Sequence, residues 1–417
     1  MWRQRIASEI ELQRALLRTR AGRRLAAGLA ALAFVTLIGL IWLWPSGGGA
    51  RVDASQIIIS TGIVPAKVTA VAEANCPIET RPGCQRVDFR LDGGPREGAP
   101  SFLILPGDDA TPRLSPGDAI RVTPNTETFG DLAPEPAAGA DPAQAPYGFV
   151  DFERRASLGW LALVFAVLVV VLGRRVGFLS LVGLGVGLLL ITAFIVPAIL
   201  EGSSPFAVAL IGSFAAMFAT IVLVYGIGAK SLAALMGTAV SLVATTLLAV
   251  LFVKLAHITG TSSEEATLVR NLSAGGVSLQ GLVLAGILIA TLGVLNDVTV
   301  GQASTVLALR RANPAQKLAE LYRAAMLVGR DHLGATVNTL VFAYAGASLP
   351  LLLIFSSQQI GFGDGINREV VATEVVAALV GSIGLVLAVP LTTIAAALMA
   401  VRLPADVLPA DDHGHHH

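Results

Sequence analysis

The residues of this sequence that could do chemistry are carboxylates and amides at the borders of long apolar runs. Asn296 and Asp297 lie near the end of one run, and Asp331 and Asn338 lie where the next begins. Polar and ionisable groups are costly in a bilayer and tend to mark substrate or ion pathways there. The sequence therefore predicts a polar pathway, and a ladder of carboxylates and amides is typical of an ion or proton relay.

Helical spacing predicts a small, polar face on the first of these runs. Asp297, Gly301 and Ser304 are separated by four and three residues, which places them on one side of a helix. This face would line a water-filled cleft. In the alternative interpretation, Asp297 lies at the cytoplasmic headgroup level, solvated or paired with an Arg. The spacing leaves both interpretations open.

The second run combines a polar face with a break. Asp331 and Asn338 are seven residues apart and share one face, although Asp331 could instead pair with Arg310 or with Arg330 of a neighbour. Tyr344–Pro350 predicts an interruption of the helix, which either frees carbonyl groups for a ligand or simply kinks the helix. The predicted pathway or gate residues are Asn296, Asp297, Ser304, Arg330, Asp331, Asn338, Thr339, Ser348 and Pro350.

A loop between two apolar runs carries a second pair of carboxylates. The sequence from Ser262 to Glu265 predicts a helix N-terminus, where the helix dipole favours negative charge. Glu264 and Glu265 are candidates for an entrance lip of the pathway, and an ordinary surface turn is the alternative.

Composition places these groups in a membrane protein. Of the 417 residues, 54% are hydrophobic and 14% are charged, whereas soluble domains carry roughly 25% charged residues. The formal net charge is zero, so nothing indicates a nucleic-acid partner. The expected fold class is an α-helical polytopic membrane protein with about eight transmembrane helices and a small all-β, OB-like extracytoplasmic domain.

Apolar runs define the predicted spans, because about 20 residues cross a hydrocarbon core of roughly 30 Å. An anchor is predicted at residues 25–44, followed by seven spans at about 158–173, 177–199, 206–227, 232–253, 281–300, 334–356 and 374–401. Lys and Arg are concentrated in the segments that are cytoplasmic if the N-terminus is inside, and the short outside loops hold only Lys254, Arg270 and Arg368. This asymmetry predicts a cytoplasmic N-terminus and an extracytoplasmic segment at residues 45–157.

Residues 51–131 have the pattern of a small β domain. Short alternating runs at 56–60, 66–72, 86–91, 101–105 and 119–122 are separated by Gly, Pro and Asp turns. Cys76 and Cys84 in this domain predict one disulfide, with two unpaired thiols as the alternative. Residues 132–157 form a Pro/Ala-rich linker and a segment that returns to the membrane.

With the anchor counted as the first span, the polar segment between the sixth and seventh spans is predicted to be a cytoplasmic arm. Gln302–Arg330 is amphipathic, and Asn313-Pro314 divides it in two. Such an arm is expected to lie along the inner membrane surface.

Motifs of enzyme chemistry are absent from the sequence: it has no phosphate-binding loop, no His-Glu-x-x-His and no Gly-x-Ser-x-Gly. His257 and His332 are predicted on opposite sides of the membrane, so they would not share a metal. We expect no enzyme activity, no cofactor and no metal site. The His-containing tail, residues 404–417, carries no functional prediction.

The sequence resembles the YibE/F-like family of bacterial integral membrane proteins over roughly residues 55–400. The resemblance is carried by Ser263–Ala266, Gly293–Ala303, Gly329–Asp331, Asn338–Leu340 and Tyr344–Leu352 in the apolar region, and by Lys67–Val71 and Leu114–Asp118 in the outside domain. It implies a multi-pass protein with an N-terminal outside domain and a permease-like role. The Arg-rich N-terminus and the cysteine pair depart from the family pattern.

Two functions follow as hypotheses. The first is a permease, passive or driven by an ion gradient, with a pathway formed by the sixth and seventh spans. The second is a non-transporting scaffold or accessory subunit whose β domain binds a partner or envelope component.

The expected domains are a basic cytoplasmic N-terminus (1–24), the anchor (25–44), the β domain (51–131), the linker (132–157), a seven-span bundle (158–403) and the tail (404–417). The expected location is the bacterial inner membrane. The expected partners are the lipid bilayer and an ion or small molecule, and self-association into a homo-oligomer is left open.

Overall fold

The computed structural model describes residues 20–46, 62–74, 83–106, 111–124, 146–262, 264–273, 276–357 and 361–402. The chain divides into two compact units, one of residues 55–168 and one of residues 1–54 and 169–417. The predictions for a strand at 56–60, for Cys76 and for the tail at 404–417 lie outside the described residues. Cys84 is the first residue of a strand, and its pairing with Cys76 stays a prediction.

The smaller unit contains a five-stranded antiparallel sheet. Its strands are β1 (Val64–Ala74), β2 (Cys84–Leu91), β3 (Pro100–Pro106), β4 (Ala119–Pro124) and β5 (Tyr147–Phe152). The order across the sheet is β3-β2-β1-β4-β5. The longest strand, β1, pairs with β4 through its first residues and with β2 through most of its length, and its register with β2 shifts between Val68 and Ala70.

Alternating side chains of these strands form one apolar core. Val68, Phe89, Leu103 and Ile120 are buried in it, each from a different strand. The ring of Tyr147 in β5 meets the ring of Phe89 in β2 edge-on, with centroids 5.7 Å apart. Because β2 and β5 are not neighbours in the sheet, this contact means that the sheet curls over its own core.

The sequence does not predict strand β5, Tyr147–Phe152. β5 lies in the segment 132–157, which was predicted to be only a linker and a return to the membrane. The other four strands match predicted ones. A short strand that follows a Pro/Ala-rich stretch has a weak local signal, and only its pairing with β4 defines it.

Ion pairs hold the end of β5 at the start of the next helix. The Arg121 guanidinium contacts the Glu153 carboxylate at 2.9 Å, and Arg154 contacts Asp151 at 2.7 Å. The backbone N–H of Arg155 donates to the other Glu153 oxygen. This hydrogen bond, reinforced by Arg121, lowers the pKa of Glu153.

The larger unit is helical. Its helices, numbered along the chain and including one that begins in the smaller unit, are α1 (Arg20–Trp42), α2 (Arg155–Leu190), α3 (Val196–Leu200), α4 (Pro205–Tyr225), α5 (Ala229–Leu255), α6 (Glu264–Leu272), α7 (Leu279–Ala312), α8 (Leu318–Ala347), α9 (Leu349–Ser357), α10 (Phe362–Asn367) and α11 (Glu369–Arg402). A π-helical turn, Ile191–Ile195, joins α2 to α3. Among the described residues, six helical segments are long and apolar enough to cross a membrane, or seven if α8 and α9 form one broken span.

Helix α2 is interrupted at Arg174. The backbone there has φ 49° and ψ −128°, which is not helical. A Cβ added to Gly177 would overlap with the carbonyl oxygen of Val169, although residues eight apart in a straight helix are separated by about 12 Å. The chain therefore turns back sharply at Arg174, between the two spans predicted at 158–173 and 177–199.

The polar arm predicted between two spans is absent as a separate element. Helix α7 continues to Ala312, and α8 begins at Leu318, so the break predicted at Asn313-Pro314 is present. Leu307 and Leu321, two apolar residues of the predicted arm, are buried in the core of the bundle. The arm consists of the extended ends of α7 and α8, packed against other helices.

Small residues let the central helices α5, α7 and α11 pack closely. A Cβ on Gly237 of α5 would overlap with the Thr392 hydroxyl of α11, and a Cβ on Gly384 of α11 would overlap with the Thr245 hydroxyl of α5. The Thr238 and Thr299 hydroxyls join α5 to α7 at 2.7 Å. The hydrophobic effect does not drive helices together in lipid, because lipid tails are as apolar as the helix surfaces. Close packing and buried hydrogen bonds must therefore stabilise the association of the helices.

The outside of the larger unit has the opposite character. Large apolar side chains such as Phe34, Leu172, Leu247 and Phe342 are exposed, while hydroxyl-bearing residues including Thr238, Thr245 and Thr392 are buried. Continuous exposed apolar surface is rare on soluble monomers. This distribution fits a protein whose surroundings are lipid.

We predict that Gly384→Ala lowers the stability of the helical unit by about 1–3 kcal/mol, because the added methyl group meets the Thr245 hydroxyl. The measurement is thermal unfolding of the purified chain in detergent. It is followed as the fraction of protein that still elutes as a monodisperse peak from a size-exclusion column after heating. The matched control is Gly286→Ala on α7, where a Cβ meets nothing within 4 Å. The second change Thr245→Ala should partly restore the stability of Gly384→Ala, and equal destabilisation by the control would contradict the packing argument.

Candidate functional site

Helix α7 has two faces with different roles. Leu295, Thr299 and Gln302 are buried against other helices. On another side, Gly293, Asp297 and Gly301 are exposed and follow one another at intervals of four residues. A Cβ on Gly293 or Gly301 would meet nothing within 4 Å. The face that holds Asp297 therefore borders open space.

Cavity A lies beside α7 and has a volume of about 650 Å³. It lies between α2, α4, α5 and α7, and its polar lining includes Thr220, Tyr225, Lys230, Asn296, Asp297 and Ser304. The Lys230 ammonium lies 4.1 Å from the centre of the Tyr225 ring. Since α4 ends at Tyr225 and α5 begins at Ala229, Asp297 lies level with the turn between these two helices.

Asn296 is held in the wall of cavity A by Thr220. Its Nδ2 donates to the Thr220 hydroxyl at 3.0 Å, and that hydroxyl donates to the carbonyl of Ala216 at 2.7 Å. Among the described residues, Asn296 Oδ1 is buried without a hydrogen-bond partner. A buried acceptor without a donor costs free energy, so the site favours a donor at this point.

A second cavity, cavity B, lies between α7 and α8 and has a volume of about 460 Å³. Its lining includes Asp297, His332, Thr336 and Thr339. His332, Thr336 and Thr339 lie on one face of α8, at intervals of four and three residues. Asp297 and Gly301 line both cavity A and cavity B, so the carboxylate stands where the two cavities approach each other.

The third cavity, cavity C, is smaller and mostly apolar, with a volume of about 300 Å³. Its lining includes Leu188, Ile191, Ile195 and Leu292. The π-helical turn contributes two of these residues, and such turns are frequent at functional sites.

The structure brings four of the predicted pathway residues to these cavities. Asn296, Asp297 and Ser304 line cavity A, and Thr339 lines cavity B. The hydroxyl of Ser304 donates to the carbonyl of Val300, which leaves its oxygen free only to accept. The predicted face with Asp297, Gly301 and Ser304 is therefore a cavity wall.

The remaining predicted pathway residues lie elsewhere. Arg330, Asp331, Asn338 and Pro350 are exposed and line none of cavities A, B and C. The face of α8 that turns to Asp297 is the one beside them, which holds His332 and Thr339. The two faces are offset by one residue along the helix. Helical spacing alone does not show which of them is turned to Asp297.

The predicted break in the seventh span is present at Ser348. This residue is buried, ends α8 and donates its backbone N–H to the Tyr344 carbonyl. Helices α8 and α9 meet there at an angle of 59°, and Pro350 lies in the first turn of α9. The break lies outside the three cavities.

The predicted helix start near the outside loop is also present, because α6 begins at Glu264. The side chains of Glu264 and Glu265 lie outside the part of the chain that the structure describes. Their role at an entrance stays a prediction.

Three residues that line the cavities are not among the predicted pathway residues: Tyr225, Lys230 and Gln302. Tyr225 and Lys230 were assigned to a helix end and a short loop, and only the packing of α4 and α5 on α7 brings them to Asp297. Gln302 was assigned to the arm. Its burial has a sequence signal, because Thr291, Leu295, Thr299 and Gln302 continue one helical face past the predicted end of the span.

Gln302 is the polar centre of the helix packing. Its Nε2 donates to the Ala325 carbonyl at 3.0 Å and to the Thr393 hydroxyl at 2.7 Å. A Cβ on Gly329 would lie 2.9 Å from the Gln302 amide atoms. One side chain, which also lines cavity B, thus joins α7, α8 and α11. Among the described residues, no group of three His, Cys, Asp or Glu side chains could hold a metal ion.

The bundle of long apolar helices supports a multi-pass membrane protein, and the Asp297 carboxylate lines two of its cavities. The family model of the YibE/F-like protein matches residues 161–402. The chain belongs to the YibE/F-like family. No curated protein and no solved structure matches it. The match includes every residue that lines cavities A, B and C.

We predict that Gln302 and Thr393 are energetically coupled across α7 and α11. A double-mutant cycle of Gln302→Leu and Thr393→Val, measured by thermal or denaturant unfolding, should give a coupling of about 0.5–1.5 kcal/mol. The control cycle pairs Gln302→Leu with Thr373→Val, whose hydroxyl donates within its own helix to Glu369. A coupling in the first cycle no larger than in the control would contradict the assigned hydrogen bond.

Proposed function

We propose that this protein is a permease that moves an ion or a small solute across the membrane, with Asp297 in its pathway. The observation that carries the proposal is that Asp297 borders both cavity A and cavity B. A carboxylate between apolar helices is costly unless it is solvated or paired. Cavities on two sides of it provide space for water and for a transported group.

The pathway is assigned to α7 and to the segment α8–α9, the sixth and seventh predicted spans. Cavity B lies between α7 and α8, and its hydroxyl groups from Thr336 and Thr339 offer ligands for a hydrated ion. Passive transport or coupling to an ion gradient is proposed, because the sequence contains no nucleotide-binding motif. No covalent chemistry is part of the proposal.

The topology proposed for this function has eight spans. The sharp turn at Arg174 supports counting two spans in the segment Arg155–Leu200. The 59° bend at Ser348 supports counting α8 and α9 as one broken span. The distribution of Lys and Arg supports a cytoplasmic N-terminus in the inner membrane of a bacterium. This orientation puts the end of cavity A near Lys230 on the cytoplasmic side.

The sheet is proposed to be an OB-like barrel outside the cytoplasm. Its order, β3-β2-β1-β4-β5, would give a five-stranded barrel if β5 closed on β3, and the curl that brings Tyr147 to Phe89 supports this closure. A scaffold or accessory subunit, in which this domain binds a partner, is the alternative function. The cavities beside Asp297 favour transport, since a scaffold needs no carboxylate facing open space inside a bundle.

We expect Asp297→Asn to abolish proton or cation flux into proteoliposomes, measured with an enclosed pH-sensitive or cation-sensitive dye under an imposed gradient. The physical reason is that the amide keeps the volume of the side chain and removes its charge and its proton exchange. Asp331→Asn is the matched control, because Asp331 lines none of the three cavities. Wild-type flux in Asp297→Asn, or no flux in the unmodified protein, would contradict the proposal.

We also expect Gly301→Leu to reduce this flux to background, since its side chain would project into the space shared by cavities A and B. Gly286→Leu on the same helix also meets open space but lines none of these cavities, and its flux should equal that of the unmodified protein. Elution and thermal unfolding of both variants show whether the bundle is intact. Equal flux in the two variants would exclude a route past Gly301.

A further inference from the structure

Cavities A and C adjoin along one side of α7. Both are lined by Gly183, Thr220, Gly293 and Asn296. Together they extend along α7 from Ile289 to Ser304, which corresponds to about 22 Å of helix. This is most of the roughly 30 Å thickness of a hydrocarbon core.

The two cavities differ in chemistry. Cavity C is lined mainly by Leu and Ile side chains, whereas cavity A contains one carboxylate, Asp297, and one ammonium, Lys230, with several hydroxyl groups. These two charges are opposite, so the polar end has no net charge. A ligand that suits both cavities has an apolar chain and a head that carries one positive and one negative group.

The junction of the two cavities favours a hydrogen-bond donor. The Thr220 hydroxyl donates its proton to Ala216, so it can only accept from Asn296. This fixes the Asn296 amide with Nδ2 on Thr220, and it leaves Oδ1 without a partner among the described residues. Oδ1 is covered in this structure, and a small rotation of the side chain would bring it to a donor group that enters beside Asp297.

We propose that cavities A and C form one binding site for an amphiphile whose zwitterionic head contains a primary ammonium. The ammonium lies near Asp297 and Asn296, the anionic group of the head lies near Lys230, and the apolar chain occupies cavity C. This inference rests on the proposed permease function and names the class of solute that would enter beside Asp297, the residue that this site shares with the proposed pathway. A quaternary ammonium head has the same charges but no N–H donor, and so it fits the site less well.

The test measures binding to the purified full-length chain in a maltoside detergent by native mass spectrometry. Three probes are compared at matched concentrations: lysophosphatidylethanolamine, lysophosphatidylcholine with the same acyl chain, and phosphoethanolamine without a chain. We expect the first to bind about tenfold or more tightly than the second, the size expected for a hydrogen bond to a charged donor. Phosphoethanolamine should not bind, because it does not fill cavity C.

Variants assign this preference to the site. Asn296→Leu should reduce the affinity for lysophosphatidylethanolamine to that for lysophosphatidylcholine, and Asp297→Asn should weaken binding of both lipids. Gly293→Leu, which projects into the junction of the two cavities, should remove binding, while Gly286→Leu should bind like the unmodified chain. Thermal unfolding of each variant separates loss of the site from loss of the fold.

Equal binding of the two lysolipids, binding of phosphoethanolamine as strong as that of the lysolipid, or full binding by Gly293→Leu would overturn the inference. Because the test reads binding alone, its result is distinguishable from that of the flux experiments. Selective binding without any flux would leave the site standing and contradict the permease. Flux that depends on Asp297 without selective binding would leave the permease standing and contradict this substrate class.

Discussion

Close packing at glycines and buried hydroxyl groups is the constraint on which the helical unit depends. The Thr392 side chain packs against Gly237, and the Thr245 side chain packs against Gly384. Helices α5 and α11 therefore approach too closely for any side chain at the two glycine positions. Gln302 then joins α7 to α8 and α11 with two hydrogen bonds. In lipid these contacts take the place of the hydrophobic effect that stabilises soluble proteins. Close packing and hydrogen bonds are what hold a helix that has polar residues on several sides.

The two faces of α7 connect this packing to function. The buried face fixes the helix, and the exposed face places Asn296, Asp297 and Ser304 along cavity A. Glycines on that face leave space instead of contact. A rigid helix thus presents one carboxylate to cavities on two sides, with Tyr225 at the end of α4 and Lys230 at the start of α5 beside it. Positioning by a packed helix is more precise than positioning by a loop.

Local sequence was enough for much of the architecture. Apolar runs predicted the long helices, Asn313-Pro314 predicted the break before α8, and Tyr344–Pro350 predicted the bend at Ser348. Four strands followed from alternation and turn residues. The sequence did not show that Tyr147–Phe152 pairs with β4, because strand pairing is decided by partners that are distant along the chain. It did not show that Gln302 is buried, because its neighbours Ala325 and Thr393 come from two other helices.

The sequence by itself determined that this chain is built of long apolar helices with a small β unit, and that Asp297, Gly301 and Ser304 share one helical face. The periodicity of apolar residues and the composition are properties of a single segment. They can therefore be read from the sequence without a structure. Only the tertiary structure decided which faces meet. It turned His332 and Thr339 of α8 toward Asp297 instead of Asp331 and Asn338, because the Gly329–Gln302 contact fixes the rotation of that helix.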